Sequence, residues 1–225
     1  MNRLICAIMW FSAMAWVSQV QASAIFTIEN GGLYDFVDPI ESAQSAAAFY
    51  SYNSPYPSSG DPLFGTQSGT GLFWLFQDTV SSNTSLGMIF DTPHDGSGGS
   101  VSLSSSGFPA GAYVSVEDDG GDIIPSQLIN GTETWNWLAC CTDGAMISGL
   151  SNEWTISLDL LHSVGVDNWY FLSGPDSSNP DVIQLNMDHT LYINSNSSVV
   201  PEPSVIGLFG LGLAGLYVVR RRRRF

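Results

Sequence analysis

Apolar and polar residues alternate with a period of two through much of residues 25–193. Trp154, Ile156, Leu158 and Leu160 fall on one face of a segment, with Thr155, Ser157 and Asp159 on the other. Ala112, Val114 and Val116 alternate with Tyr113, Ser115 and Glu117, and Trp135 and Trp137 with Thr134 and Asn136. Leu86, Met88 and Phe90 repeat the pattern, and Ile183, Leu185, Met187, Leu191 and Ile193 keep one parity over a longer stretch. Each segment predicts a strand with one buried face. Leu72 to Phe76 is continuously apolar and predicts a strand covered on both sides. Clusters of Gly, Ser, Asn, Asp and Pro, such as 95–100 and 174–180, punctuate the strands. One helix is expected: Asp38 as cap, Pro39 in the first turn, Glu41 three residues after the cap, then the alanine-rich run Ser42 to Tyr50. Residues 53–71 read as an irregular loop. The expected fold is mainly β, a single jelly-roll-like β-sandwich with one short helix.

Composition sharpens this picture through the placement of charge. The chain has 225 residues, 21 acids and six basic residues. The basic residues are Arg3 and Arg220 to Arg224, there is no lysine, and 20 of the acids lie within 25–200. The middle of the chain therefore cannot neutralise phosphates, which excludes nucleic-acid binding there. It also has no lysine chemistry and no Lys or Arg ion pairs. About twenty like charges repel one another, so salt, divalent cations or cationic partners are expected to offset them.

Candidate chemistry is sparse. Glu117, Asp118, Asp119 and Asp122 stand around Gly120 and Gly121, an acid-rich turn suited to calcium or simply to water. Its spacing is not that of an EF-hand. Asp91 and Asp95, and Asp143 beside Gly144, are weaker candidates of the same kind. No other cofactor is indicated. Cys140 and Cys141 are adjacent; they could close an eight-membered disulfide ring, cross-link to another chain, or lie buried as thiols on opposite faces. The chain has no G-x-S-x-G, H-E-x-x-H, phosphate-loop or dinucleotide fingerprint. His94, His162 and His189 are scattered; His189 reads as a core or turn residue and His162 as standing at a strand end. Trp74, Trp135, Trp137, Trp154 and Trp169, with the many tyrosines, would suit a carbohydrate-binding face, but strand position assigns most of the tryptophans to the core.

The two ends carry the clearest signals. Arg3, the apolar stretch Leu4 to Val17 and Ala22-Ser23-Ala24 have the form of a secretory signal peptide over residues 1–24. Cys6 leaves with it. At the other end, Pro201-Glu202-Pro203 precedes the uncharged run Val205 to Val219, then Arg220 to Arg224. That run reads as a short transmembrane helix, with the arginines held cytoplasmic by the positive-inside rule. Both ends thus place the middle of the chain outside the cytoplasmic membrane.

Pro201-Glu202-Pro203, the apolar run and the arginine block together resemble the PEP-CTERM sorting signal of Gram-negative bacteria, over about residues 199–225. The resemblance implies export across the inner membrane and transient anchoring there. It also implies recognition of Pro201, Glu202 and Pro203 by exosortase, then release to the cell surface or to a biofilm matrix rich in exopolysaccharide. It is silent about the middle of the chain. The expected layout is residues 1–24 signal peptide, 25–193 acidic sandwich, 194–200 Ser/Asn-rich linker and 201–225 sorting signal. The expected function is a non-enzymatic structural or adhesive role, in a form that can depend on calcium. The alternative is a lectin-like module for exopolysaccharide, which needs an exposed Trp or Tyr platform. A secreted glycoside hydrolase is a further alternative; it needs two carboxylates about 5–10 Å apart in a cleft.

Overall fold

The computed structural model describes residues 24–197, apart from 54–58, 61, 63, 64 and 119–123. Its strands are β1 (Ala24–Asn30), β2 (Leu33–Val37), β3 (Ile40–Ser42), β4 (Thr70–Asp78), β5 (Thr84–Phe90), β6 (Gly99–Ser106) and β7 (Tyr113–Glu117). They continue with β8 (Thr132–Trp137), β9 (Asp143–Leu150), β10 (Trp154–Val164), β11 (Asn168–Ser173), β12 (Asp181–Leu185) and β13 (Leu191–Ser197). Two short helices accompany them, α1 (Ala46–Tyr50) and α2 (Pro125–Leu128).

The strands form two sheets, one ordered β2-β1-β13-β10-β6-β8 and the other β12-β11-β4-β5-β9-β7, with β3 also on β4. A shared core joins them. Ile28, Val101, Leu103, Trp135, Ile156 and Ile193 of the first sheet meet Phe73, Leu75, Met88, Phe90, Ile147 and Phe171 of the second. The mainly β, two-sheet architecture expected from the alternation is present and has the layering of a sandwich. A jelly roll is antiparallel throughout. Here β4 receives β11 in parallel along Thr70 to Trp74 and then β3 in parallel along Phe76 to Asp78.

The two sheets differ in how much they bury. The six-stranded sheet is covered on one face, and its strands alternate: β8 reads buried at Glu133, Trp135 and Trp137 and exposed at Thr132, Thr134 and Asn136. The second sheet is covered on both. Its other face holds a separate apolar cluster of Ile40, Phe49, Tyr50, Leu72, Trp74, Phe76, Ile89 and Met146. This accounts for Leu72 to Phe76, which is buried throughout as the apolar run predicts. It also corrects the half-buried reading of β5, every residue of which is buried.

The helix starts later than expected. Pro39 leads into β3, and Ile40, wholly buried, sits opposite Phe76. The apolar burial and the parallel pairing outweigh the capping pattern at Asp38 to Glu41. The helix begins instead at Ala46, where Ser45 accepts a hydrogen bond from the Ala48 N–H. The parity from Ile183 to Ile193 is real but spans two strands. β12 and β13 belong to different sheets, and residues 186–190 turn between them. β13 runs to Ser197 and β1 starts at Ala24, with Ala24 opposite Ser197, so residues 194–197 extend the sheet rather than forming a linker.

Candidate functional site

Burying a carboxylate without a cation is costly unless N–H or O–H groups satisfy it. Residues 24–197 contain no Lys or Arg, and Asp91, Asp118, Glu133 and Asp143 are nevertheless buried. Each is held by such donors. Asp91 accepts from the Gly69 N–H (2.9 Å) and the Trp137 indole N–H (2.9 Å). Glu133 accepts from the Ile124 and Thr134 N–H groups (2.8 and 3.0 Å). Asp143 accepts from the Asn136 and Gly144 N–H groups (3.0 and 2.8 Å). Asp118 Oδ2 accepts from the Tyr50 hydroxyl (2.9 Å) and the Gly60 N–H (2.8 Å), with the Thr142 hydroxyl at 3.4 Å. From sequence Asp91, Asp118 and Asp143 are candidate metal ligands or surface acids; in the structure they are internal acceptors. The lack of any internal cation was the available clue.

The acid-rich turn is therefore only partly placed. Glu117 is half-buried at the end of β7 and Asp118 is internal, while Asp119 and Asp122 lie outside the described residues. Among the described residues, no group of three His, Cys, Asp or Glu side chains is arranged to hold a metal ion. Cys140 and Cys141 are bonded to each other. They lie between β8 and β9, which belong to opposite sheets, and the Cys140 carbonyl accepts from the His94 N–H (3.2 Å). The three histidines are not brought together. His94 is in the 91–98 loop and His189 in the β12–β13 turn. His162 is not at a strand end but beside the irregularity within β10.

Three acids, the half-buried Asp78 and Asp95 and the exposed Asp176, sit in tight hydroxyl-bearing turns. At Asp95, burial pushes the carboxyl up. Hydrogen bonds from the Ser68 and Ser97 hydroxyls and the Ser97 N–H outweigh it and bring the pKa down to about 2. The Ser81 hydroxyl and the Ser81 and Val80 N–H groups lower Asp78, and the Ser178 hydroxyl and N–H lower Asp176. A carboxyl whose folded pKa is depressed stabilises the fold above its ordinary value and loses that contribution as pH falls through the folded one. Thermal unfolding in high salt, which screens the general repulsion, should thus show a decline between about pH 4 and pH 2. Ser97→Ala should make that decline shallower; an unchanged profile would remove Asp95 as a cause.

The tryptophans do not form a platform. Trp74, Trp135, Trp137, Trp154 and Trp169 are all buried, as their strand positions predict. The exposed aromatic residues are elsewhere. Tyr34, Phe36 and Tyr192 stand on the uncovered face of the six-stranded sheet, and the Tyr34 and Phe36 rings meet edge-on with centroids 5.7 Å apart. That face also carries Ile25, Glu29 and Asp159, and many hydroxyl and amide groups. Thr155 donates to Asn194 (2.9 Å), Ser106 and Ser157 are bonded (2.7 Å), and so are Ser102 and Thr134 (2.8 Å). These pairs run across neighbouring strands from β13 to β8. The sequence expectation allows a Trp or Tyr platform without naming the tyrosines that form it; the alternation of Tyr34 and Phe36 with Leu33 and Asp35 is the signal for this face.

Among the described residues no helix is long and apolar enough to cross a membrane, and Pro201 to Pro203, residues 205–219 and residues 1–23 lie outside them. Residues 199–224 match the family model of the PEP-CTERM protein-sorting motif. No curated protein and no solved structure matches the chain.

Proposed function

From the PEP-CTERM motif at residues 199–224, which marks the chain as an exosortase-sorted extracellular protein, we propose a non-enzymatic adhesive module that holds to neutral polysaccharide outside the cell. The observation that carries the carbohydrate reading is the uncovered face of the six-stranded sheet. It combines rows of Ser, Thr and Asn side chains with exposed Tyr34, Phe36 and Tyr192. Hydroxyl and amide groups both donate and accept, as sugar hydroxyls do. Tyrosine offers an apolar ring with a polar tip. The charge adds a constraint. A region with about twenty acids and no Lys or Arg repels acidic polymers, so the favoured partner is uncharged.

The test is fractionation of the full-length protein in its own cells. The protein should co-sediment with matrix polysaccharide, stay there through a high-salt wash and be freed by glycosidase digestion. Release by salt alone, or recovery as free protein before digestion, would overturn the adhesive reading.

A calcium contribution would rest on Glu117, Asp119 and Asp122. Thermal unfolding of the full chain in calcium, compared with magnesium and with NaCl at matched ionic strength, separates two effects. Screening raises the midpoint equally in all three. Binding to the native state alone adds a calcium-specific rise, and without that excess the calcium role falls.

A further inference from the structure

The turn end of the exposed face carries a cleft of about 400 Å³ between the β1–β2 hairpin and the β12–β13 turn. Its floor and walls follow from strand register. Glu29 on β1 lies opposite Tyr34 on β2 and opposite Tyr192 on β13. One carboxylate is thus flanked on both sides by a tyrosine, each in the directly opposed position where cross-strand side chains touch. All three are exposed, with Tyr34 at 56% and Tyr192 at 43%.

The end of the cleft is built by a buried amide. Asn30 is 4% exposed. Its side-chain N–H groups donate to the carbonyls of His189 (3.1 Å) and Thr190 (3.4 Å), and its Oδ1 accepts the Asn186 N–H (2.7 Å). One side chain on β1 thereby fixes the β12–β13 turn. The hairpin opposite is Gly31-Gly32, both at positive φ, the geometry of a two-residue hairpin turn. Gly31 also makes room for the imidazole, because a Cβ there would lie 2.5 Å from His189 Cδ2. His189 is exposed and, like Glu29 and Tyr34, lines the cleft.

We infer that this cleft is a saccharide-binding subsite for a neutral hexose unit, in which Tyr34 and Tyr192 offer ring faces, Glu29 accepts sugar hydroxyls and His189 closes the end. The inference deepens the polysaccharide reading above and rests on it. The volume lies within the range of small-ligand sites. A carboxylate between tyrosine rings also suits an ammonium group. The neighbouring face decides for sugar: Thr155, Ser157 and Asn194 continue from the cleft along the sheet and offer a longer polymer further hydroxyl partners. An acidic sugar is disfavoured, since Glu29 would face its carboxylate with no Lys or Arg nearby.

The test uses the full chain in mild detergent with three probes, namely neutral glucan oligosaccharides, polygalacturonate and tetramethylammonium. Affinity is compared for the native protein, Tyr34→Ala, Tyr192→Ala and Glu29→Gln, each checked for an unchanged thermal midpoint. The glucan should bind the native protein and lose about ten-fold or more in affinity with Tyr192→Ala and Glu29→Gln, and polygalacturonate should not bind. If the glucan binds and all three variants bind equally, this cleft is not the subsite while the polysaccharide reading stands. If no glucan binds, both fall. Preferential binding of tetramethylammonium or polygalacturonate overturns the saccharide assignment. Asn30→Ala is a further control, because it frees the turn that carries His189 while leaving Glu29, Tyr34 and Tyr192 in place. It should weaken glucan binding less than Tyr192→Ala does, and a larger loss would make the turn's rigidity, and not the ring faces, the source of affinity.

Discussion

Replacing Asp91 with alanine should lower the stability of the sandwich by about 3 kcal/mol, one of the largest losses available from a polar side chain in this fold. Asp91 follows β5, and its own N–H donates to the Thr70 carbonyl where β4 begins. Its two carboxylate oxygens face different elements: Oδ1 takes the Gly69 N–H and Oδ2 takes the Trp137 indole N–H. Trp137 is on β8, the edge strand of the opposite sheet, and stacks on Phe90, so this one side chain links that edge to the central strands β4 and β5. Alanine leaves both donors without the acceptor, and a buried unmatched donor costs about 1–3 kcal/mol. The backbone adds to this, because Asp91 has φ 67°, a conformation that Asp and Asn tolerate far better than alanine. Asp91→Asn should therefore cost about half as much, keeping the backbone and one acceptor oxygen. The measurement is thermal unfolding. A midpoint drop of roughly 6–12 °C is expected for alanine in a domain of this size. A drop no larger than that of an exposed control, such as Asp188→Ala, would show that Asp91 does not tie the sheets.

This use of carboxylates shows where the sequence was legible and where it was not. Alternation reports which side of a strand is buried, so β8, β10 and the core tryptophans could be read directly from it. Burial on both faces erases alternation. Leu72 to Phe76 announced that condition through unbroken apolarity. β5 did not, because Ser85 and Gly87 interrupt its run although both lie in the interior. β9 was hidden in the same way by Gly144, Ser148 and Gly149. Gly144 is required there, since a Cβ would come within 2.3 Å of the Met88 carbonyl oxygen. Local signals also lose to tertiary pairing. The capping pattern at Asp38 is a sound local pattern, but Ile40 gains more by burial against β4 than the helix would gain from an extra turn. The exposed cleft depends on Glu29, Tyr34, Tyr192 and His189, which are up to 163 positions apart in sequence. Only the antiparallel placement of β13 beside β1 brings them together, and no local pattern encodes that pairing.

Replacing Pro201, Glu202 and Pro203 with alanine should leave the full chain in the membrane fraction and lower the released protein by about ten-fold or more, a discrimination of about 1.4 kcal/mol at the least. The tripeptide lies in the matched sorting motif, between the last strand and the apolar run at 205–219. Proline fixes its own φ, cannot donate a backbone hydrogen bond, and disfavours helix in the residue before it. Two prolines around Glu202 therefore disfavour helix at the tripeptide, and alanine, the best helix former, removes that restriction. Glu202 is the one acid outside 25–200, which makes it a distinctive charge for a processing enzyme to read. Folding and sorting can be separated in the same experiment. β13 lies between β1 and β10 inside its sheet, and its pairing with β1 ends at Ala24 and Ser197, before the altered residues. The variant's thermal midpoint should equal that of the native full chain. Retention with an unchanged midpoint assigns the loss to processing. Normal release of the alanine variant would mean that the arginine block and apolar run suffice for sorting, and Glu202 would then have no part in recognition.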